Sequence, residues 1–427
     1  MQGILSALPT AVLTKAFTTP FDNAVATART CYSSRIIYDE DVRKNDEAKI
    51  LRDKIAKSTY VAGHHTTLQH AHFQFAFTNI SRHALWSFFH AHPFYNSEQV
   101  SQRYVSVKGN NFLCPDFLHK ELNERYHQAM IRQEQAYQDL IKLLHNTAEV
   151  LYFEIYRGRR KNSEDKRWQG AIKKRCQEVA RYVLPVATHA HLYHTISGLT
   201  LHRYNRMALS SDCPFEQRIL ISAMVDQVKK FDPDFFKYQE ESIPLEQGLE
   251  SQALFGAKLP LIDCEAAWAY SLDFDTRLNN HHAVLSSSTP NPEQVLGDAV
   301  RQMLYIDKTK LSDEDAVALL LSPTKNRYLG ESLNVMTLSK LARALELVHF
   351  TFIKKLSHAA DSQAQRHRML PGARALFSRT IDLTRPDYIT PELFLHKQAQ
   401  DAKSLYDWSQ EKTYEDALWL YERGASP

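Results

Sequence analysis

Two distant segments of this chain share one pattern, and this internal similarity limits the folds open to it. Residues 72–92 read HFQFAFTNISRHALWSFFHAH, and residues 349–368 read HFTFIKKLSHAADSQAQRHR. Each begins with the alternation His-Phe-x-Phe, which predicts a strand, and continues through a serine and a nearby His-Ala pair into a helical stretch. Each ends in a basic or histidine-containing triplet. Chance matches of this length are rare, so we favour an internal duplication.

The length of the chain agrees with two tandem domains. Its 427 residues exceed one ordinary domain of about 100–200 residues. Residues 240–257 contain Pro244, Gly248 and Gly256 and are interpreted as the linker. We therefore predict one domain over residues 1–245 and a second, C-terminally truncated copy over residues 246–427. Apolar residues recur at helical spacing over 122–152 and 219–231, which predicts two helices.

Composition excludes several classes of protein. No apolar run approaches the ~20 residues that span a bilayer, and the N-terminal sequence is interpreted as the start of a folded domain rather than a signal peptide. The five cysteines are scattered and contain no Cys-x-x-Cys, which argues against a disulfide framework and a cysteine-rich zinc site. We expect a cytoplasmic protein that does not associate with membranes.

The charge is nearly balanced, with a formal net charge of +3. This value gives no reason to expect binding of long nucleic acids. Residues 156–175 form the one basic run. We interpret it as a solvated helix face, and contact with a polyanion is the alternative.

Two separate motifs have the chemistry of anion binding. The sequence Glu98-Gln-Val-Ser-Gln-Arg-Tyr104 supplies the Ser101 hydroxyl and the Arg103 guanidinium, which suit phosphate oxygens; a surface turn is the alternative. Arg181 lies between apolar residues in Val-Ala-Arg-Tyr-Val-Leu-Pro. A buried arginine there needs an anionic partner, either a ligand or a structural carboxylate.

The remaining candidates are histidines and one basic triplet. Arg366-His367-Arg368 could hold a diphosphate or a flavin, or could simply complement a helix C-terminus. Histidines cluster at residues 64–72 and 189–194, but no carboxylate or cysteine stands at a metal-motif spacing and His-Glu-x-x-His is absent. We therefore predict no metal site and interpret these histidines as part of half-buried faces.

Taken in order, these motifs resemble those of the flavin-dependent thymidylate synthases. Ala28-Arg-Thr-Cys-Tyr32 matches an early family motif, and Gly63-His-His-Thr-Thr-Leu-Gln-His70 matches the next, with Gln69 where the family has glutamate. A strand and a helix then lead to the family signature Arg-His-Arg, seven residues, Ser-x-Arg-Tyr. Val179–Pro185 matches a later Val-Ala-Arg-x-x-Leu-Pro segment. The resemblance covers most of residues 20–235.

The two copies depart from the signature in opposite ways. The first copy has His90-Ala91-His92 at the triplet position, with eight residues before Ser101. Arg82-His83-Ala84 lies too far upstream to replace the triplet. The second copy keeps Arg366–Arg368, but residues 369–379 contain no Glu-x-Ser-x-Arg-Tyr. The final residues, 420–427, resemble the run that precedes the Ala-Arg-x-x-Leu-Pro helix in the family.

The resemblance implies a fold and an activity. The fold is α+β, with two domains of the thymidylate-synthase-complementing type, each having a central, mostly antiparallel sheet and long helices. The reaction is reductive methylation of dUMP with methylenetetrahydrofolate, FAD and NADPH. No protein nucleophile is needed, so no catalytic residue is predicted.

The resemblance also implies roles for particular residues. The predicted substrate-binding residues are Ser101, Gln102, Arg103, Arg181 and Arg206. The family has an arginine after the Leu-Pro segment, and Arg203 is the alternative to Arg206 at that position. The predicted flavin-binding residues are Arg366, His367, Arg368, His64 and Thr66. In the family such sites form between subunits, so we expect a homo-oligomer, a dimer with a pseudo-tetrameric arrangement of domains. The two copies would then combine the triplet with Ser101, Arg103 and Arg181 in one composite site.

Three alternatives stay open. The chain could be a degenerate, non-catalytic homologue that binds flavin, nucleotide or a partner. It could be a flavin-dependent enzyme that modifies C5 of a pyrimidine nucleotide with a different acceptor. It could also be a histidine-based metalloprotein.

Overall fold

The computed structural model describes residues 3–91, 94–210, 212–238, 240–256, 258–260, 262–364, 367 and 370–425. The chain forms two compact units, one from residues 1–269 and 357–427 and the other from residues 270–356. Among the described helices, none is long and apolar enough to cross a membrane.

All the described strand pairings are antiparallel. The strands are β1 (Gly3–Ile4), β2 (Thr10–Ala16), β3 (His72–Ser81), β4 (Asn96–Gln99), β5 (Pro115–Asp116), β6 (His189–Ser197), β7 (Ala283–Ser288) and β8 (Phe350–Lys354). The main sheet has the order β2-β3-β6-β4, while β1 pairs with β5 and β7 with β8.

Helices make up most of the remaining regular structure. They are α1 (Pro20–Thr30), α2 (Asp39–Arg43), α3 (Asp46–Val61), α4 (Arg82–Ala91), α5 (Lys120–Ile155), α6 (Lys166–Ala180), α7 (Gly198–Arg206), α8 (Pro214–Phe231), α9 (Leu249–Gly256), α10 (Cys264–Leu278), α11 (Pro292–Leu304), α12 (Asp313–Leu321), α13 (His358–Ala364) and α14 (Gln400–Glu422). The predicted α+β class is confirmed. The predicted linker is partly helical, because it contains α9.

Strand β3 provides the centre of the main core. Its alternation buries Phe73, Phe75 and Phe77 on one face, each at most 1% exposed. The same core includes Leu220 and Met224 of α8, which recur at the four-residue spacing of a helix face. The helical periodicity over residues 219–231 therefore reflects packing of α8 in this core.

A second core lies between the long helices α5 and α14. Tyr137, Leu140 and Leu144 of α5 are fully buried in a cluster that also contains Tyr406 of α14. Phe394 stacks on Tyr406 with 4.5 Å between the ring centroids. The sequence after residue 390 therefore completes a core that the first half of the chain begins.

One buried carboxylate links the two long helices. Asp416 of α14 is 1% exposed and forms ion pairs with Arg125, at 2.6 Å, and with Arg132, both on α5. Because the two arginines are only partly exposed, loss of the carboxylate leaves two positive charges near each other with little water to screen them.

We expect Asp416→Ala to lower the free energy of unfolding by about 2–4 kcal/mol, as measured by chemical denaturation. Asp139→Ala, which removes the largely exposed ion pair with Lys142 on α5, is the control and should cost less than about 1 kcal/mol. Equal effects of the two substitutions would contradict a stabilising role for Asp416.

The pairing of β2 with β3 in the main sheet contains a bulge. The register of β2 against β3 shifts between Leu13 and Lys15. The hydroxyl of the intervening Thr14 donates to the Gln74 carbonyl at 3.0 Å. After the bulge, the chain reaches Thr19, which has a φ of 51°, and Pro20 then begins α1.

The smaller unit contains the same local features in the same order. The register of β7 against β8 shifts between Leu285 and Ser287, and the hydroxyl of Ser286 donates to the Thr351 carbonyl at 3.0 Å. Asn291 then has a φ of 46°, and the next residue, a proline, begins α11.

Neither the duplication nor its boundary at residues 245/246 is tested by the division into compact units. Residues 270–356 form a compact unit separate from the rest of the chain. This division does not show whether two parts of the chain share an ancestor. Both therefore stay predictions.

Candidate functional site

The start of α4 is held by buried hydrogen bonds. The Ala84 amide donates to the Ser81 hydroxyl oxygen at 3.0 Å, which makes Ser81 the cap of the helix. The Ser81 amide and hydroxyl both donate to the Glu216 carboxylate at 2.6 Å. Burial raises the pKa of Glu216. The Arg82 amide donates to the Thr188 carbonyl at 3.0 Å, so the position of Arg82 is fixed from both sides.

Two buried arginines lie near each other, one at the start of α4 and one after α6. Arg82 is 7% exposed and Arg181 is 8% exposed. Burial, with a smaller contribution from the charge of Arg181, lowers the pKa of Arg82 to about 10. Burial also lowers the pKa of Arg181, against the opposing charge of Glu178. Within the described parts of the chain, neither guanidinium forms an ion pair with a carboxylate.

This arrangement is costly unless an anion completes it. A buried charge without a counterion carries a desolvation penalty of several kcal/mol. Two such charges also repel each other, and the low dielectric of the interior strengthens that repulsion. The pair formed by Arg82 and Arg181 therefore has the electrostatics of an anion-binding site.

Arg181 connects this pair to the C-terminal part of the chain. Its Nε donates to the Glu178 carbonyl at 3.2 Å. With the Gln363 amide oriented so that its oxygen faces the guanidinium, this oxygen accepts from both terminal nitrogens of Arg181, at 3.2 Å from Nη1. Gln363 lies on α13, so residues far apart in sequence meet at this arginine.

The predicted phosphate turn lies beside Arg181. Arg103 forms an ion pair with Glu178 at 2.6 Å. The amides of Tyr104 and Val105 both donate to the Ser101 carbonyl, at 3.1 and 2.9 Å, which closes the turn. Gln102 is buried within it. The structure therefore brings Ser101, Gln102 and Arg103 to the same region as Arg181.

His64, Thr66 and Arg206 lie in another part of the same unit. His64 lines a cavity of about 40 Å³ with Tyr60, His202 and other residues, and Thr66 is exposed. Arg206 forms an ion pair with Glu240 at 3.1 Å. Such a cavity has room for a few water molecules and not for a three-ring system. Over the described ranges, no contact joins these residues to Arg103 or Arg181.

One residue of the predicted triplet, His367, is among the residues that the structure describes. His367 is exposed, while Arg366 and Arg368 lie outside the described residues, as does His92. No group of three or more potential metal ligands occurs in the part of the chain that the structure describes.

Residues 12–234 match the family model for the thymidylate synthase complementing protein. The chain belongs to this family. It is also 29% identical, over 217 residues, to a flavin-dependent thymidylate synthase from Clostridium tetani (strain Massachusetts / E88), an alignment that covers 50% of this chain and 80% of the relative. The resemblance deduced from the motifs is thereby confirmed. Arg82, Arg103 and Arg181 fall within the family match, whereas α13 and the triplet fall outside it.

Arg82 is the residue that the sequence interpretation missed. Its position lies too far upstream for the Arg-His-Arg triplet, so the family motif does not identify it. The signal that identified Arg181, an arginine among apolar residues, was also present here, because Ile80 and Leu85 flank it and both are at most 1% exposed. An anion site built from two buried arginines can be recognised in a sequence only if both arginines are identified.

The segment after residue 356 is anchored next to α4. The Trp86 indole donates to Asp361 at 2.8 Å, and Arg374 pairs with the same carboxylate at 2.8 Å. Phe377 lies 5.1 Å from His83, measured between ring centroids. These contacts hold α13 in the position from which Gln363 meets Arg181.

His202 gives this unit a predicted dependence on pH. Burial lowers its pKa to about 4, and its ring lies 5.4 Å from Phe235 and 4.9 Å from Phe236. In the unfolded chain the pKa returns to about 6.5. Because the folded pKa is depressed, the neutral form stabilises the fold above pH 6.5, and this contribution is lost as the pH falls from 6.5 to 4.

We therefore expect His202→Phe to reduce the loss of unfolding free energy between pH 7 and pH 4.5 by about 1–3 kcal/mol, as measured by denaturant titration at both pH values. His281→Phe, at an exposed position, should leave the loss unchanged. A wild-type loss that His202→Phe does not reduce would contradict the assignment.

Proposed function

We propose that this chain is a flavin-dependent thymidylate synthase that methylates dUMP at C5, with methylenetetrahydrofolate as carbon donor, FAD as cofactor and NADPH as reductant. The observation that carries this proposal is the pair of buried guanidiniums, Arg82 and Arg181, neither of which has a carboxylate at ion-pair distance among the described residues. A nucleotide phosphate supplies the missing charge. Family membership and the similarity to a flavin-dependent thymidylate synthase support the choice of reaction.

The nucleotide is bound by arginines from three parts of the chain. Arg82 and Arg103, with the Ser101 hydroxyl, bind phosphate oxygens, since the guanidinium fork matches their geometry. Arg181 faces the pyrimidine and is oriented by Gln363. Because the two buried arginines are largely shielded from water, their attraction for an anion exceeds that of exposed side chains.

The composite site rests on the position of Gln363. Arg366, His367 and Arg368 follow Gln363 closely in sequence, and we propose that they extend the site from there. In this proposal the first copy supplies the nucleotide-binding arginines, and the second copy supplies Gln363 and the triplet.

The described residues fit the anionic parts of FAD better than its ring system. The buried arginines suit phosphate groups, while the cavity beside His64 is too small to enclose an isoalloxazine. When bound, the flavin supplies the electrons that reduce the transferred carbon. The chain's own residues bind and orient the nucleotide and provide positive charge.

The separation of the predicted flavin residues supports the proposal of a homo-oligomer. His64 and Thr66 have no described contact with the group around Arg181 in the same chain. We propose that these residues complete the flavin site of a second copy, which makes the working protein a homo-oligomer.

A non-catalytic homologue that binds nucleotide is the alternative function. It is favoured by His90-Ala91-His92 at the triplet position of the first copy. Rescue of a thymidine-requiring bacterial strain distinguishes a synthase from such a homologue and from an enzyme with another acceptor.

The nucleotide site is tested by neutralising its arginines. We expect Arg82→Met and Arg181→Met each to weaken dUMP binding by about 10- to 100-fold, since each removes charged hydrogen bonds in a buried site, as measured by calorimetry. Arg218→Met on the exposed face of α8 is the matched control and should bind normally. Unchanged dUMP affinity in a folded Arg82→Met protein would refute the phosphate assignment.

The composite site is tested at Gln363. Gln363→Ala should reduce dUMP affinity about tenfold, because it removes an acceptor that orients Arg181. Gln363→Glu should reduce it further, because a carboxylate beside Arg181 competes with the ligand. Gln398→Ala, at an exposed position, is the control. If both Gln363 variants bind dUMP like the wild type, the second copy plays no part in the site.

A further inference from the structure

A strongly basic surface lies on the 3₁₀ helix Arg157–Asn162 and on α6. Residues 157–175 contain nine arginines and lysines and only two acidic residues, in a chain whose net charge is +3. We define the basic surface as the exposed side chains of Arg157, Arg160, Lys161, Lys166, Lys173 and Lys174. The proposed synthase reaction, as described above, does not use them.

Contacts of Arg159 with aromatic side chains fix the backbone that carries the basic surface. The Arg159 guanidinium lies 4.2 Å from the ring centroid of Tyr156 and 4.3 Å from that of Trp168. It also donates to the Tyr152 hydroxyl at 2.6 Å. These contacts join the end of α5 to the start of α6. The neighbouring Asp165 is occupied by Arg167, at 2.7 Å, and caps α6, so it neutralises none of the six side chains.

The basic surface is continuous with the proposed nucleotide site. Lys174 lies 5.4 Å from the centroid of the Tyr104 ring, and the Arg103 guanidinium lies 5.4 Å from the same ring. Arg175 and Arg103 share the Glu178 carboxylate, at 2.8 and 2.6 Å. From Lys166 to Arg181 the helix rises about 22 Å. An anion that leaves the region of Arg181 along α6 therefore passes the exposed Lys174 and Lys173 first and Lys166 at the start of the helix.

We propose that the basic surface binds the carboxylates of an oligo-γ-glutamate tail on the folate cosubstrate. This inference rests on the proposed function, because the end of the folate that donates the carbon must lie at the proposed nucleotide site for its glutamate tail to reach the basic surface. A mononucleotide is too short to use positive charge about 20 Å away. A flexible chain of carboxylates has the length and charge that the surface complements.

Single-stranded nucleic acid fits the basic surface less well. Such ligands gain affinity by stacking bases on exposed aromatic rings. Here one face of each of the rings of Tyr104, Tyr156 and Trp168 has a guanidinium or an ammonium group over it and is not open to a base. Lysines, which act as compact point charges, also outnumber arginines on the half of the surface nearest the site.

The test compares methylenetetrahydrofolate carrying one glutamate with the form carrying five, using the full chain. We expect the pentaglutamate KM to be lower by about tenfold at low salt, and the ratio to approach one in 0.5 M salt, because exposed contacts are weak and screened. Lys173→Ala/Lys174→Ala should move the ratio toward one. Lys229→Ala/Lys230→Ala, an exposed lysine pair on α8, should preserve it. A wild-type ratio of one in an active enzyme overturns the proposal and leaves the proposed function intact.

A binding experiment separates failure of the tail site from failure of the synthase assignment. Penta-γ-glutamate alone, titrated into the full chain, should bind at low salt and bind more weakly to the Lys173→Ala/Lys174→Ala variant. Such binding supports the surface even if no synthase activity is found. Absence of binding, or tighter binding of a ten-residue oligothymidylate that depends on the same lysines, overturns it.

Discussion

The burial of two neighbouring guanidiniums, neither of which forms an ion pair with a carboxylate of the described residues, is the constraint around which this site is organised. Arg82 and Arg181 pay a desolvation penalty that an internal salt bridge would partly offset. The surrounding structure nevertheless holds both in place, through the capping of α4 by Ser81 and the contact of Arg181 with Gln363. The aromatic cores around β3 and between α5 and α14 provide the stability that makes such a site tolerable.

The proposed duplication explains why the site draws on both ends of the chain. The antiparallel strand pairs β2–β3 and β7–β8 share a bulge with a hydroxyl-to-carbonyl hydrogen bond, and in each pair the first strand is followed by a left-handed residue and a proline-initiated helix. Bulges re-aim a strand and are retained as designed features. Agreement in several such details is hard to obtain from convergence of short sequences, so it supports common descent of the two copies.

The predictions of secondary structure that the structure confirms are those based on local periodicity. The strand predicted from residue 72, the helix over 122–152 and the helix over 219–231 are all present, because alternation and helical spacing reflect the face that each element buries. Burial of Arg181 also followed from its apolar neighbours. The locations of His64 and Arg206 could not be predicted, because they depend on which surfaces meet after folding. Arg82 does not follow from the family motif, because its register differs from that of the triplet, and only its apolar neighbours indicate that it is buried.

The two capped helices show why only one composite site is expected in each chain. Ser357 caps α13 as Ser81 caps α4, with the Ala360 amide donating to its hydroxyl oxygen at 3.1 Å. The residue after the cap is Arg82 in the first helix and His358 in the second. Six residues after the cap, the first helix has a serine and the second has Gln363. The first helix thus has the arginine and the second helix has the glutamine. If α13 took the place of α4 at the site, His358 would replace Arg82 and the nucleotide anion would have one buried arginine fewer.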